Sequence, residues 1–404
     1  MPTAVFFNLP AHGHINPTLP IVRDLVTRGH TIYYYCHPDF QAKIESSSAI
    51  FRPYPDTFQY NHHDPNGHAF ELATRILQST VAYLPDLTTE LRDLAPDYLI
   101  HDSLAVWGKY LAQHLNIPAI SSTATFAINA RLALRYAGLN AVASMFTVDP
   151  HFFLSYLQAG LTLFTRYGII PPSPNQVFSN TAPLTLVYTS RYFQPAADSL
   201  APGHVFVGPS IPTPAIPPGF PLDWCDHPNL IYVALGTLFN NRPEFFKAVA
   251  AAFADSPYRV VMAIGDKLAI ADLGDLPANI RAFNYVPQFT VLQRARLFIT
   301  HGGMNSVSEG LYLGIPLLVY PQIIEQRFNA GRATDLGAAY TLRTADITPE
   351  RIRALAERIL ADPNYTIRAA AIGESFRAAG GPPAAVAAIE HYLTTHHIPL
   401  PTRA

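Results

Sequence analysis

Cysteine is nearly absent: Cys36 and Cys225 are the only two in 404 residues, and each stands alone. That excludes a CxxC metal or redox site and a disulfide framework. Charge is scarce as well, at 14% of residues with a formal net charge of −2, so nothing in the balance draws the chain to nucleic acid or to an anionic membrane. No apolar run approaches the ~20 residues that a membrane span needs. The opening MPTAVFFNLPAHGH has no basic region, and its apolar run is too short for a signal peptide. The expectation is a soluble cytoplasmic protein, a monomer or weak homodimer, with no integral membrane association.

What the chain has in quantity is apolar and aromatic surface: 49% hydrophobic residues, with 24 Phe and 21 Tyr. Such a composition implies large buried faces and leaves room for an apolar ligand pocket. A length of 404 residues exceeds one typical core and suits two domains. Apolar runs at 4–8, 31–36, 98–101 and 118–121 alternate with helix-like segments, and the alternation resumes at 230–235, 259–263, 297–300 and 315–320. This rhythm predicts α/β domains built on parallel sheets with right-handed crossovers. In the first crossover Asn16 is expected to cap the helix, Pro17 to open it and Gly29 to close it.

Between the halves, 202–228 carries Pro209, Pro212, Pro214, Pro217, Pro218 and Pro221 and reads as a proline-stiffened linker. The expected division is 1–207, a linker at 208–228, a second domain at 229–382, and a C-terminal helix and tail at 383–404 that packs back on the first domain. Helices are expected near 349–360, 365–379 and 384–394. The polar stretch 54–68 and the aromatic stretch 145–170 are candidate walls of a variable pocket, and the second equally fits a core helix. Two domains joined by a linker form a cleft, where ligands commonly bind.

The densest information lies in 281–331. The run 297–300 ends in His301-Gly302-Gly303, and a helix-like segment with Asn305, Ser306 and Glu309 follows. The run 315–320 then ends in Pro321-Gln322 and Glu325-Gln326. Strand ends that lead into helix starts lie along the carboxyl edge of a parallel sheet, where open α/β sheets bind nucleotides. Gly302 and Gly303 permit close backbone approach, and a helix N-terminus offers free N–H groups and roughly half a positive charge to a diphosphate. Glu309, one turn past Asn305, can accept hydrogen bonds from ribose hydroxyls. Leu235-Gly236-Thr237 is a candidate second phosphate contact. Alone, HGG also fits a glycine-rich turn between core elements, and the Leu-Gly-Thr tripeptide a plain β-turn.

Tyr285-Val286-Pro287-Gln288, HGGMNSVSE from His301, PQIIEQ from Pro321 and the N-terminal AHGHINPTLP together resemble the signature of family 1 nucleotide-sugar glycosyltransferases. The pattern is that of the bacterial macrolide-type UDP-glycosyltransferases, and with the chain length the likeness covers most of the sequence. The resemblance implies a GT-B fold: two Rossmann-like parallel-sheet domains facing a cleft, the first binding acceptor and the second the nucleotide-sugar donor. It implies that Tyr285 stands where a tryptophan stacks on uracil, and that the Val286 backbone reads the base edge. Gln288 and Glu309 would hold the ribose. Gly236, Thr237, His301, Gly303, Asn305 and Ser306 would surround the phosphates, and Glu325 and Gln326 would meet the sugar hydroxyls. The chain departs from the pattern in two places. Tyrosine offers a smaller stacking face than tryptophan, and Glu325 is one methylene longer than the aspartate of plant members.

A catalytic pair belongs to the same resemblance. His14 follows the first strand, and a neutral imidazole of pKa about 6.5 can take a proton from an acceptor hydroxyl. A carboxylate on its other nitrogen would keep it oriented, and Asp102 is suited to that role if the two strands lie near each other. Without the family, His12 or His14 bonding backbone, and Asp102 capping the next helix, are equally open; the family pattern assigns base and partner. His12-x-His14 has no further ligands to make a metal site, and His62-His63 and His396-His397 read as solvated segments. No two aspartates stand two apart, so the metal motif of the other large glycosyltransferase class is missing. No cofactor is expected beyond the UDP-sugar co-substrate.

The expected function is therefore inverting, metal-independent transfer of a hexose, with UDP-glucose as the first-choice donor. The acceptor would be a hydroxyl on an apolar phenolic or flavonoid, macrolide or terpenoid molecule, with His14 as general base. The rival readings are a non-catalytic homologue that activates a partner, and a UDP-sugar epimerase. An NAD-dependent oxidoreductase is disfavoured because no GxGxxG follows the first strand of either half.

Overall fold

The computed structural model describes residues 1–55, 69–129, 132, 149–213, 216–237 and 240–401. Residues 56–68 (with His62-His63), residues 145–148 of the aromatic stretch and Pro214 lie outside them. Contacts divide the chain into two compact units: Met1–Ser210 with Ala379–Ala404, and Ile211–Ala378.

In unit 1 the strands are β1 (Thr3–Phe7), β2 (Thr31–Cys36), β3 (Ile50–Pro53), β4 (Tyr98–Asp102), β5 (Ala119–Thr123), β6 (Leu184–Val187) and β7 (His204–Phe206). They form a parallel sheet in the order β3-β2-β1-β4-β5-β6-β7. In unit 2, β8 (Leu230–Ala234), β9 (Arg259–Ala263), β10 (Ile280–Phe283), β11 (Ala295–Thr300), β12 (Leu317–Val319) and β13 (Ala339–Thr341) form another, in the order β10-β9-β8-β11-β12-β13. Central strands of a parallel sheet are covered on both faces, so β4 and β8 are buried along their whole length; β8 reads as an unbroken apolar run and β4 as one as far as Ile100. The edge strands β3, β7 and β13 are short and partly exposed, and the apolar pattern of the sequence does not mark them.

Alternation along β1 divides the core of unit 1 in two. Ala4 and Phe6 join the cluster formed with helices Leu19–Thr27 and Gly381–Thr395, whereas Val5 and Phe7 join the one formed with helices Ala69–Leu94 and Val106–Leu115. Helix Pro150–Tyr167 adds Tyr156, Ala159 and Leu163 to the second cluster, while Phe153, Leu154, Leu157, Leu161 and Phe164 are exposed. The described part of the aromatic stretch is thus a helix with one core face and one apolar outer face. Among the described residues no helix is long and apolar enough to cross a membrane.

Three local expectations change. The first crossover breaks into a single turn, His12–Ile15, with Asn16 as its C-cap, and a helix Leu19–Thr27 preceded by Thr18, with Pro20 in its first turn. Thr18 stands at the N-cap position without capping by its side chain, because its hydroxyl is turned to Ile15 O and Tyr34 Oη, each at 2.8 Å. Gly29 (φ 91°) follows the C-cap Arg28. The stretch 208–228 is not a detached spacer: from Ile211 onward it belongs to unit 2. Phe220 packs on Phe283 with ring centroids 5.2 Å apart, the Arg281 guanidinium lies 4.7 Å from the Trp224 ring, and Cys225 is buried. The last helix begins at Gly381, and the chain re-enters unit 1 at Ala379.

Ala385, Val386, Ile389 and Leu393 of that helix are buried in the core of unit 1. Ile389→Ala is predicted to cost about 2–5 kcal/mol, read as a lower midpoint in urea unfolding of the whole chain; an unchanged midpoint would show that the helix adds nothing to the core.

Candidate functional site

Each sheet winds outward from a central strand and then reverses, so two adjacent strands send their connections in opposite directions. In unit 1 the reversal falls between β1 and β4, and in unit 2 between β8 and β11. Such switch points are where open α/β sheets hold ligands. The residues singled out in the sequence sit at both.

In unit 1, His14 is carried by the turn after β1 and Asp102 ends β4. Their side chains meet: His14 Nδ1 lies 2.8 Å from Asp102 Oδ2, with Asp102 fully buried and His14 13% exposed. The second carboxylate oxygen accepts from Leu104 N at 2.8 Å, so the carboxylate cannot swing away. An acceptor on Nδ1 keeps the proton there and leaves the lone pair on Nε2, which is the tautomer a base requires. His12 is differently employed: its Nδ1 lies 3.3 Å from Lys43 Nζ and its ring meets the edge of Phe40. Among the described residues no group of three or more His, Cys, Asp or Glu side chains could hold a metal ion.

In unit 2, β11 ends at Thr300 and helix Met304–Tyr312 starts four residues later, with Gly303 as an N-cap that brings no side chain. Its first N–H groups therefore have no side-chain cap. His301 N donates to Ala234 O at 3.3 Å, which joins the strand end to the turn after β8. The imidazole lies over two glycines: a Cβ at Gly236 (φ +75°) would stand 2.6 Å from His301 Nε2, and one at Gly303 would stand 2.5 Å away. These glycines make the space the ring occupies. Burial pulls the His301 pKa down to about 4, against a smaller opposing effect of its backbone bond to Ala234. The ring is therefore neutral at pH 7 and can offer a hydrogen bond but no charge. Thr237, on the turn after β8, is exposed.

Gln288, Ser306 and Glu309 come together. Gln288 Nε2 donates to Glu309 Oε2 at 2.9 Å and approaches Ser306 Oγ at 3.4 Å. Glu309 has its pKa raised to about 7, by burial above all, with the Gln288 amide working the other way. Tyr285 is 69% exposed beside a buried Val286, as a stacking platform has to be. Asn305 occupies the first turn of helix Met304–Tyr312, half-buried. On helix Ile324–Asp335 the two sugar candidates differ. Glu325 is half-buried, with Oε1 3.4 Å from Asn329 Nδ2. The Gln326 Oε1 is already engaged in capping, accepting from Gln322 N at 2.7 Å and Ile323 N at 3.3 Å. Only the amide side of Gln326 remains for a ligand.

Sequence reasoning missed two asparagines that shape this edge. Asn329 Nδ2 donates to Gly302 O at 2.9 Å, and Asn240 Nδ2 donates to Gly236 O at 2.9 Å, so each ties down one of the glycine turns. Asn329 had a signal, since it is a polar residue on the buried face of its helix.

Comparisons with known proteins bear on the family and the fold. Residues 248–391 match the family model of the erythromycin biosynthesis protein CIII-like C-terminal domain. The chain is 34% identical to the uncharacterized UDP-glucosyltransferase YojK of Bacillus subtilis, over 94% of this chain and 95% of that protein. It is 30% identical to the demethyllactenocin mycarosyltransferase of Streptomyces fradiae, over 96% and 86%. Its fold is similar to that of the calicheamicin glycosyltransferase CalG4, with a TM-score of 0.83, 31% identity and 98% of each chain covered.

Glu309 binds its proton more tightly in the folded chain (about 7) than in the unfolded one, about 4.3. Stability from this group is present below the lower value and is lost as pH rises through the higher. Glu309→Gln does not titrate, so nucleotide-free variant and wild type should diverge in the variant's favour between about pH 5 and pH 8 in urea unfolding at stepped pH. A constant difference across that range would mean that the carboxyl titrates normally.

Proposed function

The chain belongs to the bacterial macrolide-type UDP-glycosyltransferases of glycosyltransferase family 1, GT-B enzymes that transfer a sugar from a nucleotide sugar, and on that premise we propose that His14 is the general base of an inverting transfer. The observation that carries the proposal is the 2.8 Å contact between His14 Nδ1 and the buried Asp102 carboxylate. In the proposed step, His14 Nε2 takes the proton of an acceptor hydroxyl as its oxygen bonds to the anomeric carbon. The bond from that carbon to the phosphate oxygen breaks, and its electron pair leaves with the nucleoside diphosphate. A single displacement inverts the anomeric centre. Asp102 holds the imidazole and stabilises the imidazolium that forms.

The proposed donor is UDP-glucose, supported by the names of relatives such as YojK, by Tyr285 as a platform for the base and by the Gln288–Glu309 pair for the ribose. The proposed phosphate ligands are the N–H groups opening helix Met304–Tyr312, with neutral His301, Ser306 and Thr237, and no metal takes part. Fixed dipoles of this kind stabilise a leaving anion without reorganising. The proposed acceptor is an apolar hydroxylated natural product; the 49% hydrophobic composition and a relative that mycarosylates demethyllactenocin support that class. The proposed location is the cytoplasm, a reading supported by two cysteines, Cys36 and Cys225, that are free and buried.

His14→Ala is predicted to lose about 10²–10⁴-fold in kcat while UDP affinity by calorimetry is retained, and wild type should make a β-glycoside from UDP-α-glucose, read from the anomeric proton coupling. Undiminished turnover in the variant would remove His14 as base, and an α-linked product would remove the single displacement. Wild-type turnover should also be unaffected by excess EDTA after exhaustive dialysis; a loss restored by added Mg²⁺ or Mn²⁺ would overturn metal independence.

A further inference from the structure

The turn His12–Ile15 that carries His14 is too short to hold itself. A single helical turn is unstable alone, and Ala11 at its start brings no side-chain cap. The carbonyls at its end have no partner within the turn, yet they are not left to water. His14 O accepts from Asn8 Nδ2 at 3.2 Å and Ile15 O from Thr18 N at 3.0 Å and Thr18 Oγ1 at 2.8 Å; just past the turn, Pro17 O accepts from Ser210 Oγ at 2.6 Å.

Asn8 and Thr18 are joined through one atom, the Tyr34 hydroxyl, which lies 2.5 Å from Asn8 Nδ2 and 2.8 Å from Thr18 Oγ1. All three residues are fully buried. Donor counting leaves this chain one direction. Asn8 Oδ1 accepts from Leu9 N at 2.8 Å, so its amide nitrogen faces His14 O and Tyr34. Thr18 has one hydroxyl proton and gives it to Ile15 O, so Tyr34 must donate to Thr18 and accept from Asn8. Tyr34 is itself fixed by β2, in register with Phe6 of β1 and stacked on its ring at 4.7 Å. The hydroxyl therefore references the turn to the paired strands β1 and β2.

We infer that the Asn8–Tyr34–Thr18 relay positions His14: Asp102 sets the direction of the imidazole, and the relay sets where its backbone stands. The inference rests on His14 being the base. None of the three touches substrate in this reading; they act through His14. A base displaced by about 1 Å from its proton loses much of its effect, so the relay governs kcat and leaves donor binding alone.

Tyr34→Phe deletes only the hydroxyl, and kcat should fall about tenfold with the donor KM within about twofold of wild type. Thr18→Val breaks the other end and should reproduce the loss, whereas Thr18→Ser keeps the hydroxyl and should retain activity. In a His14→Ala background Tyr34→Phe should change kcat by less than about twofold, because the group it positions is gone. Unchanged kcat in correctly folded Tyr34→Phe and Thr18→Val, or the same fractional loss with and without His14, would overturn the relay. If His14→Ala alone leaves turnover intact, the base reading fails first, and that result is separate from the relay measurements.

Discussion

Parallel pairing is the constraint from which the rest follows. When all strands of a ladder run one way, every carboxyl end lies along one edge, and the loops that follow distant strands are gathered there. The reversal of strand order then opens that edge at one place in each sheet. His14 and Asp102, 88 residues apart, are brought to 2.8 Å by the pairing of β1 with β4, and His301 N reaches Ala234 O through the pairing of β11 with β8. Loops and helices add chemistry, but the ladders decide which residues can share it.

The two edges use this arrangement differently. In unit 1 a carboxylate is buried and balanced by one imidazole and one backbone N–H. In unit 2 the histidine is held neutral, and the groups around it are amides, hydroxyls and a helix N-terminus. Such a cradle depends on orientation, which explains why asparagine side chains pin both glycine turns and why a glutamine caps the next helix.

Much of this was legible in the sequence. The alternation of apolar runs announced two parallel sheets because strands covered on both faces have no polar period to hide them. His301 and Glu309 could be named because strand ends and glycine turns mark the sheet edge, while His14 and Asp102 took their roles from the family resemblance. Three kinds of feature were not legible. The edge strands β3, β7 and β13 lack a continuous apolar signal. The break at Asn16 comes with a contact of Thr18 to the Tyr34 hydroxyl of β2, which no local capping rule contains. Residues 211–228 read as a spacer because proline dominates the composition, while the anchors that attach them, Phe220, Trp224 and Cys225, are few.

The return of the chain to unit 1 at Ala379 means that neither unit is a single stretch of sequence. The first 210 residues lack the helix whose Ala385, Val386, Ile389 and Leu393 complete their core, so that core cannot close until synthesis has passed through all of unit 2. A growing chain therefore carries an unfinished first unit for most of its translation. For the same reason, a hybrid that joins halves of two such proteins keeps each core native only with two junctions, near 210 and near 379, and the last helix inherited from the parent of the first unit.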